Sequence, residues 1–232
     1  MIYCLLGVHL DTYLRFYLAL QMIKNVGDHV DCIQVIGTEN MCLNQEFISA
    51  SKAMYNGDIK FNFYPNGNLY DIGKCCQWLT DHINLEADVL FVNDSTVLMR
   101  PVSDFWEMVN SNKNFDMYSL LSSAERHDHA RGDYRLMKKS AWLKLLDIYT
   151  SKKHLLKTKH DAIIHLELGV CNHTKWISLF NYRPDTIPNI GMNPLEYREA
   201  VLFNDFPIVK IIQLKLLTTT YQWLFDRLYA NK

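Results

Sequence analysis

Residues 87–95 read Ala-Asp-Val-Leu-Phe-Val-Asn-Asp-Ser, an apolar run that ends abruptly in an amide, a carboxylate and a hydroxyl. A strand that delivers such oxygens into a cleft can hold a hard divalent ion. Mg2+ and Mn2+ take carboxylate, carbonyl, water and phosphate oxygens. In that arrangement Asp94 is the carboxylate ligand, and the ion neutralises charge developing on a leaving diphosphate. The alternative is an Asx turn, because Asn93-Asp94-Ser95 is equally common loop chemistry. A second carboxylate, Glu167, interrupts the apolar run Ile163–Val170. A charge there is costly unless it is paired or used. It can act as a general base for an attacking hydroxyl or stabilise a developing positive charge, and a pairing with His165 or Lys175 on a helix face is the plainer alternative. Asp133, in the loop Gly132-Asp133-Tyr134, is the second catalytic candidate and can instead orient an acceptor.

These groups need a scaffold that gathers them. Ile2 to Val8 is a short apolar run, as a buried parallel strand requires. Asp11 or Thr12 can cap the helix that follows, whose apolar face reads Leu14, Tyr17, Leu18 and Met22. Cys32 to Ile36 is a second strand, and this β-α-β start implies a right-handed crossover and a mainly parallel sheet. The pattern continues with a helix at Asn44–Met54, a strand at Lys60–Tyr64 and a helix over about residues 71–83. After the strand at Val89–Val92 come a helix near Val102–Asn110 and a strand at Asp116–Leu121. A strand at Tyr134–Lys138, a helix at Ser140–Tyr149, a helix at Asp161–Asn172 and a strand at Trp176–Phe180 complete the series. The stretch Phe206–Tyr229 has the spacing of one or two amphipathic helices.

In open α/β sheets ligands bind beyond the carboxyl ends of the strands. The residues in that place are Gly7-Val8-His9 after the first strand, Thr38 and Glu39 after the second, and Asn93, Asp94 and Ser95. They are expected to converge on one sheet edge and hold a phosphorylated cofactor or donor.

The bulk properties fit one α/β domain spanning residues 1–232. The chain is 49% apolar and 21% charged, which excludes disorder. A net charge of −1 gives no bulk attraction to nucleic acid or anionic lipid. No apolar stretch reaches the roughly 18–20 residues of a spanning helix. Six cysteines without CxxC spacing are expected to be reduced thiols in a cytoplasmic setting rather than zinc ligands. His127-Asp128-His129 lies in a polar segment with Glu125, Arg126 and Arg131, and reads as a surface loop rather than a zinc site. The aromatic stripe Tyr221, Trp223, Phe225 and Tyr229 reads as helix packing, or as a contact with a further domain if the chain is the N-terminal part of a longer protein.

Four stretches in order resemble the rhamnan-synthesis F family and related virus-encoded sugar transferases. Phe91-Val92-Asn93-Asp94-Ser95 is similar to that family's NDS strand end, used where other GT-A enzymes carry DxD. Asn68-Leu69-Tyr70-Asp71-Ile72-Gly73, with Trp78 behind it, resembles its N-x-G-x-D-x-G helix start. His165-Leu166-Glu167-Leu168-Gly169-Val170 resembles its E-x-G-L helix, and Asn193-Pro194 through Phe206-Pro207-Ile208-Val209-Lys210 its closing NP…GFPFIK. Tyr70 replaces the usual glycine or arginine, and Asn204-Asp205 the glycine before Phe206.

The resemblance implies a GT-A-like fold, with a donor-nucleotide half to about residue 100 and an acceptor half beyond it. It implies transfer of a hexose or deoxyhexose, L-rhamnose among them, from a UDP- or dTDP-sugar to a glycan hydroxyl, with Mn2+ or Mg2+ assisting. It places a donor-nucleotide contact at Asp71, where a carboxylate can accept from a ribose hydroxyl or base NH. The residue-level alternative for Asp71 is a helix N-cap. Lys74, one turn later, can offset phosphate charge or lie as a solvated helix lysine. Two other readings stay open. A sugar nucleotidyltransferase would carry a Gly-rich phosphate loop with a basic residue after the first strand, which Gly7-Val8-His9-Leu10-Asp11 lacks. A catalytically inactive sugar-binding module is favoured by the single carboxylate of Asn93-Asp94-Ser95.

Overall fold

The computed structural model describes residues 1–65, 67, 69–98, 101–123, 128–182 and 208–210. Four parallel strands form half of the main sheet: β1 (Ile2–Gly7), β2 (Cys32–Thr38), β3 (Asp58–Tyr64) and β4 (Asp88–Asn93), in the order β3-β2-β1-β4. Their apolar runs are continuous because both faces of the sheet are covered. In β1, Cys4 and Leu6 join one core and Leu5 the other, the period-2 alternation of a pleated strand.

One face packs against α1 (Tyr13–Val26) through Phe16, Ala19, Met22 and Ile23. Phe47 of α2 (Asn44–Met54) joins the same core. Thr12 caps α1 by accepting from the Arg15 amide. Tyr17 is exposed, against the expected apolar face, because Phe16 rather than Tyr17 turns inward at that level of the helix. The other face packs against α3 (Tyr70–Asp81) through Ile72, Cys75, Cys76 and Leu79.

Beyond β4 the sheet changes direction. Two short elements intervene in sequence, β5 (Thr96–Leu98) and α4 (Ser103–Ser111), before β6 (Met117–Ser123), β7 (His129–Ala130) and β8 (Tyr134–Met137). β8 lies antiparallel between β4 and β6, with Phe91 opposite Arg135 and Val92 opposite Tyr134. β7 also pairs antiparallel with β6, and β9 (Trp176–Tyr182) runs parallel to it. α5 (Lys139–Lys152) lies against the α3 face. Its fully buried Trp142 donates Nε1–H to the Ala87 carbonyl, fixing the helix to the start of β4.

The helix expected at Asp161–Asn172 is three continuous pieces: α6 (Lys159–Ala162), a π-helical stretch Ile163–Leu168, and α7 (Gly169–Cys171). Thr158 and Asp161 form a reciprocal capping box at its start.

Two expectations are corrected. Ile208–Lys210 is a strand, β10, antiparallel to β5, where amphipathic helix was expected from Phe206 onward. His129 belongs to β7 and is buried, so the His-Asp-His segment is not wholly a surface loop. His127, Asn68, Asn193-Pro194, Phe206-Pro207 and the stripe Tyr221–Tyr229 lie outside the described residues. All six cysteines are free, and only Cys42 is exposed. No helix among the described residues is long and apolar enough to cross a membrane.

Candidate active site

The strand ends converge as the sheet rule requires. The Asp94 amide donates to the Gly7 carbonyl at 3.0 Å, which ties the exit of β4 to the exit of β1. The Asp94 carboxylate is fully buried and accepts from the His9 backbone N–H at 2.6 Å. Its other oxygen stands 3.3 Å from His9 Nδ1. On the far side of the ring, His9 Nε2 lies 3.4 Å from Asp71 Oδ1. The imidazole is thus held between two carboxylates while its side chain stays 37% exposed. The hydrogen bond to Asp94 raises the His9 pKa above its ordinary 6.5, and the Asp71 and Asp94 charges add to it against the opposing effects of burial and Arg15.

Local backbone strain brackets this histidine. Leu10, which follows it, and Tyr70, which precedes Asp71, have φ of 50° and 51°. A left-handed conformation costs a bulky side chain about 1–3 kcal/mol and persists only where surrounding contacts enforce it. At Tyr70 it starts α3 so that Asp71 lies over the end of β1. A Cβ at Gly7 would stand 3.1 Å from the Asp71 Cβ, so this close approach uses the missing side chain. Asp71 is not the N-cap of α3, a place held by Leu69 without a side-chain bond.

Asn93 has the Asx-turn role. Its Oδ1 accepts from Ser95 N at 3.2 Å, Ser95 Oγ at 2.7 Å and Thr96 Oγ1 at 2.9 Å. Val8 is buried in the core. Lys74 is buried rather than solvated, because its ammonium donates to Thr38 Oγ1 beneath the sheet edge. Burial lowers its pKa, against the pull of Asp71 and Asp94.

A cleft opens on the α3 side of these strand ends. Of the predicted residues, Asp71, Asn93, Ser95, Asp133 and Glu167 line it together. Gly7, Val8, His9, Thr38, Lys74 and Asp94 are not among its lining residues, although Gly7 and His9 lie against Asp71. Asp133 is buried and paired with Arg131 at 2.5 Å. Glu167 sits on the π-helical stretch, a wide turn of the kind that recurs at functional sites. Tyr70, Arg135 and Lys159 also line it, and none was assigned a site role from sequence. Arg135 carried a readable signal, a charge inside the strand Tyr134–Met137, whereas Lys159 carried none.

The oxygens here do not form a ready ion site. The Asp94 carboxylate faces His9, Asn93 Oδ1 is used three times by its own turn, and no group of three His, Cys, Asp or Glu among the described residues is arranged to hold a metal.

Glu167 depends on a close backbone approach. A Cβ at Gly132 would lie 2.9 Å from Glu167 Oε2 and 3.0 Å from its Cδ. Gly132→Ala is expected to push the carboxylate aside and cut turnover by about 10–100-fold, since misplacement by 1 Å costs that order. The melting temperature should fall by no more than about 4 °C, because the carboxylate is the far end of a flexible chain. Full activity in this variant would show that Glu167 does not need its position.

No protein-family model matches the sequence, and no curated protein matches it. Solved structures match the fold. An active-site mutant of LgtC superposes with a TM-score of 0.54 at 11% identity, covering 99% of this chain and 96% of that one. The glycosyltransferase GlyE of Streptococcus pneumoniae TIGR4 gives 0.51 at 10% identity, over 99% of this chain and 63% of that one. Residues 1–349 of S. aureus TarS give 0.50 at 11%, over 88% and 64%. A mostly parallel mixed sheet with helices on both faces, and these neighbours, make this a GT-A-like α/β fold.

Proposed function

We propose that the chain is a glycosyltransferase that moves a sugar from a nucleoside diphosphate to a glycan hydroxyl. The observation that carries this reading is one cleft lined together by Asn93 and Ser95 at the carboxyl end of β4, Asp71 at the start of α3, Glu167 and Asp133. Residues 1–100 hold the donor nucleotide in this reading, and the rest lines the sugar and acceptor side. Asp71 accepts from the nucleoside and Ser95 lies by the diphosphate. Glu167 takes the proton of the acceptor hydroxyl as its oxygen bonds to the anomeric carbon, and the bond to the diphosphate breaks with its electron pair leaving on phosphate. Asp133, held by Arg131, orients the acceptor. His9, its pKa raised by the hydrogen bond to Asp94, offsets charge on the leaving group from beside Asp71 when it is protonated.

The divalent ion implied by the strand-end motif would supply charge neutralisation, but its ligand set is missing among the described residues, so no step is drawn through it. Donor affinity by calorimetry is expected to change by less than about threefold on adding Mn2+. A tenfold gain that Asp94→Asn abolishes would restore the ion. The motif resemblance supports L-rhamnose as one donor sugar to test, carried on UDP or dTDP.

Binding of UDP or dTDP in the micromolar range, with transfer lost in Glu167→Gln, is the expected result. Nucleotide binding without turnover on any acceptor would support the second reading, an inactive sugar-binding module. That reading is favoured by the turn-bound Asn93 and the inward Asp94.

A further inference from the structure

We infer that Arg135 is a specificity residue for an acidic donor sugar, its guanidinium reading a sugar carboxylate at the floor of the cleft. This deepens the donor reading above and rests on it. Arg135 is fully buried, yet it lines the cleft. Nη1 makes one long bond, 3.4 Å, to the Ala130 carbonyl and the Cys171 thiol lies beside the guanidinium, while Nε and Nη2 have no hydrogen-bond partner. No ion pair is formed by Arg135 among the described residues, although Asp133 and Glu167 share the cleft and Asp133 is taken by Arg131.

A guanidinium carries five N–H donors and does not deprotonate, so burying it with most of them unmet is costly. An anion that occupies those donors removes the cost. The planar fork of Nε and Nη2 matches a carboxylate, which it binds through two parallel bonds.

Depth selects the sugar over the diphosphate. Arg135 pairs with Phe91, two residues before Asn93 on β4, so it stands roughly 7 Å behind the strand end at the spacing of an extended chain. It shares the sheet face of Phe91, under α3 and the π-helical stretch, where Cys75 and Ala162 form the walls. A donor whose diphosphate lies over Asn93–Ser95 reaches this floor with its sugar. A hexuronic acid places a carboxylate there, whereas a neutral hexose or 6-deoxyhexose leaves the guanidinium unpaired.

The test is titration of wild type, Arg135→Lys and Arg135→Gln with UDP, UDP-glucose, UDP-glucuronate, UDP-galacturonate and dTDP-L-rhamnose. Wild type is expected to bind at least one uronate donor about 10–100-fold more tightly than UDP-glucose or dTDP-L-rhamnose. Arg135→Gln should erase that preference while UDP affinity stays within about threefold, and Arg135→Lys should retain part of it. Equal wild-type affinity for the acidic and neutral donors overturns the inference without using a variant, so a folding defect cannot mask it. Loss of UDP affinity in Arg135→Gln as large as the loss for the uronate makes Arg135 a diphosphate contact and overturns it too. Equal loss for all sugar donors, with UDP unchanged, makes it a counter-charge for Glu167. Wild type that binds neither UDP nor any of the sugar donors defeats the donor reading itself, a result distinct from binding UDP without discriminating among sugars.

Discussion

Glu167→Gln is expected to lower turnover by about 10²–10⁴-fold while donor affinity stays within about threefold. The amide keeps the size and polarity of the carboxylate but cannot accept a proton at neutral pH. Three features favour this residue over Asp133 as the proposed base. Glu167 lies on the π-helical stretch Ile163–Leu168, whose wider turn displaces a side chain from ordinary helical register. The facing backbone at Gly132 has no Cβ, which gives the carboxylate room against the β7–β8 connection. Asp133 is already paired with Arg131 at 2.5 Å, which suits a positioning group. Steady-state kinetics separate the roles. A fall in kcat at constant KM marks Glu167 as a group used in the transition state. A raised KM with unchanged kcat would make it a binding residue and move the base to Asp133. Glu167→Asp, with its carboxylate one methylene short, should recover part of the rate.

The sequence carried the parallel half of the sheet well because each of its strands is a short apolar run closed by polar residues. Ile2–Gly7 and Asp88–Asn93 need burial on both faces to be stable, and the β-α-β order then forces a parallel crossover with helices above and below. The same logic put Asn93 and Ser95 on the cleft wall, whereas Gly7, Val8, His9, Thr38 and Asp94 do not line it. What escaped was everything decided by long-range pairing. β5 and β10 are three residues each and meet across more than a hundred positions, so neither has a local pattern. Lys74 looks like a surface helix residue until Thr38, 36 residues earlier, is placed beneath it. The left-handed Tyr70 runs against its own side-chain preference and is set by the packing of α3 over Gly7. Arg135 was visible as a charge in an apolar strand, by the same argument that singled out Glu167, but its unmet donors exist only in three dimensions.

The direction of Asp94 is the last thing the sequence left open, and it supports a prediction that separates two chemistries. A strand-end aspartate can face a bound ion or turn back onto the neighbouring strand. Here the His9 backbone N–H, freed where β1 ends, captures it at 2.6 Å. Asp94→Ala leaves that half-buried N–H without an acceptor and removes the charge that holds the ring. The cost is expected to be about 2–3 kcal/mol, a fall of roughly 4–12 °C in melting temperature for a chain of this size. Asp94→Asn keeps an oxygen for the N–H and should cost less, so it isolates the charge.

The pH response then carries the decision. His9 has a folded-state pKa raised first by its hydrogen bond to Asp94. Its contribution to stability is therefore fully present below the unfolded value of 6.5 and is lost as pH rises through the higher folded value. Diphosphate binding that uses the imidazolium should weaken over the same rise. In Asp94→Asn the midpoint should move down towards 6.5, with or without Mn2+. An Asp94 that served as an ion ligand would behave in the opposite way, because its amide variant would lose the Mn2+ response and keep the wild-type pH midpoint. Titrating donor affinity between about pH 5 and 9 in both proteins distinguishes the histidine clamp from the metal site, and an unmoved midpoint would remove His9 from the donor chemistry.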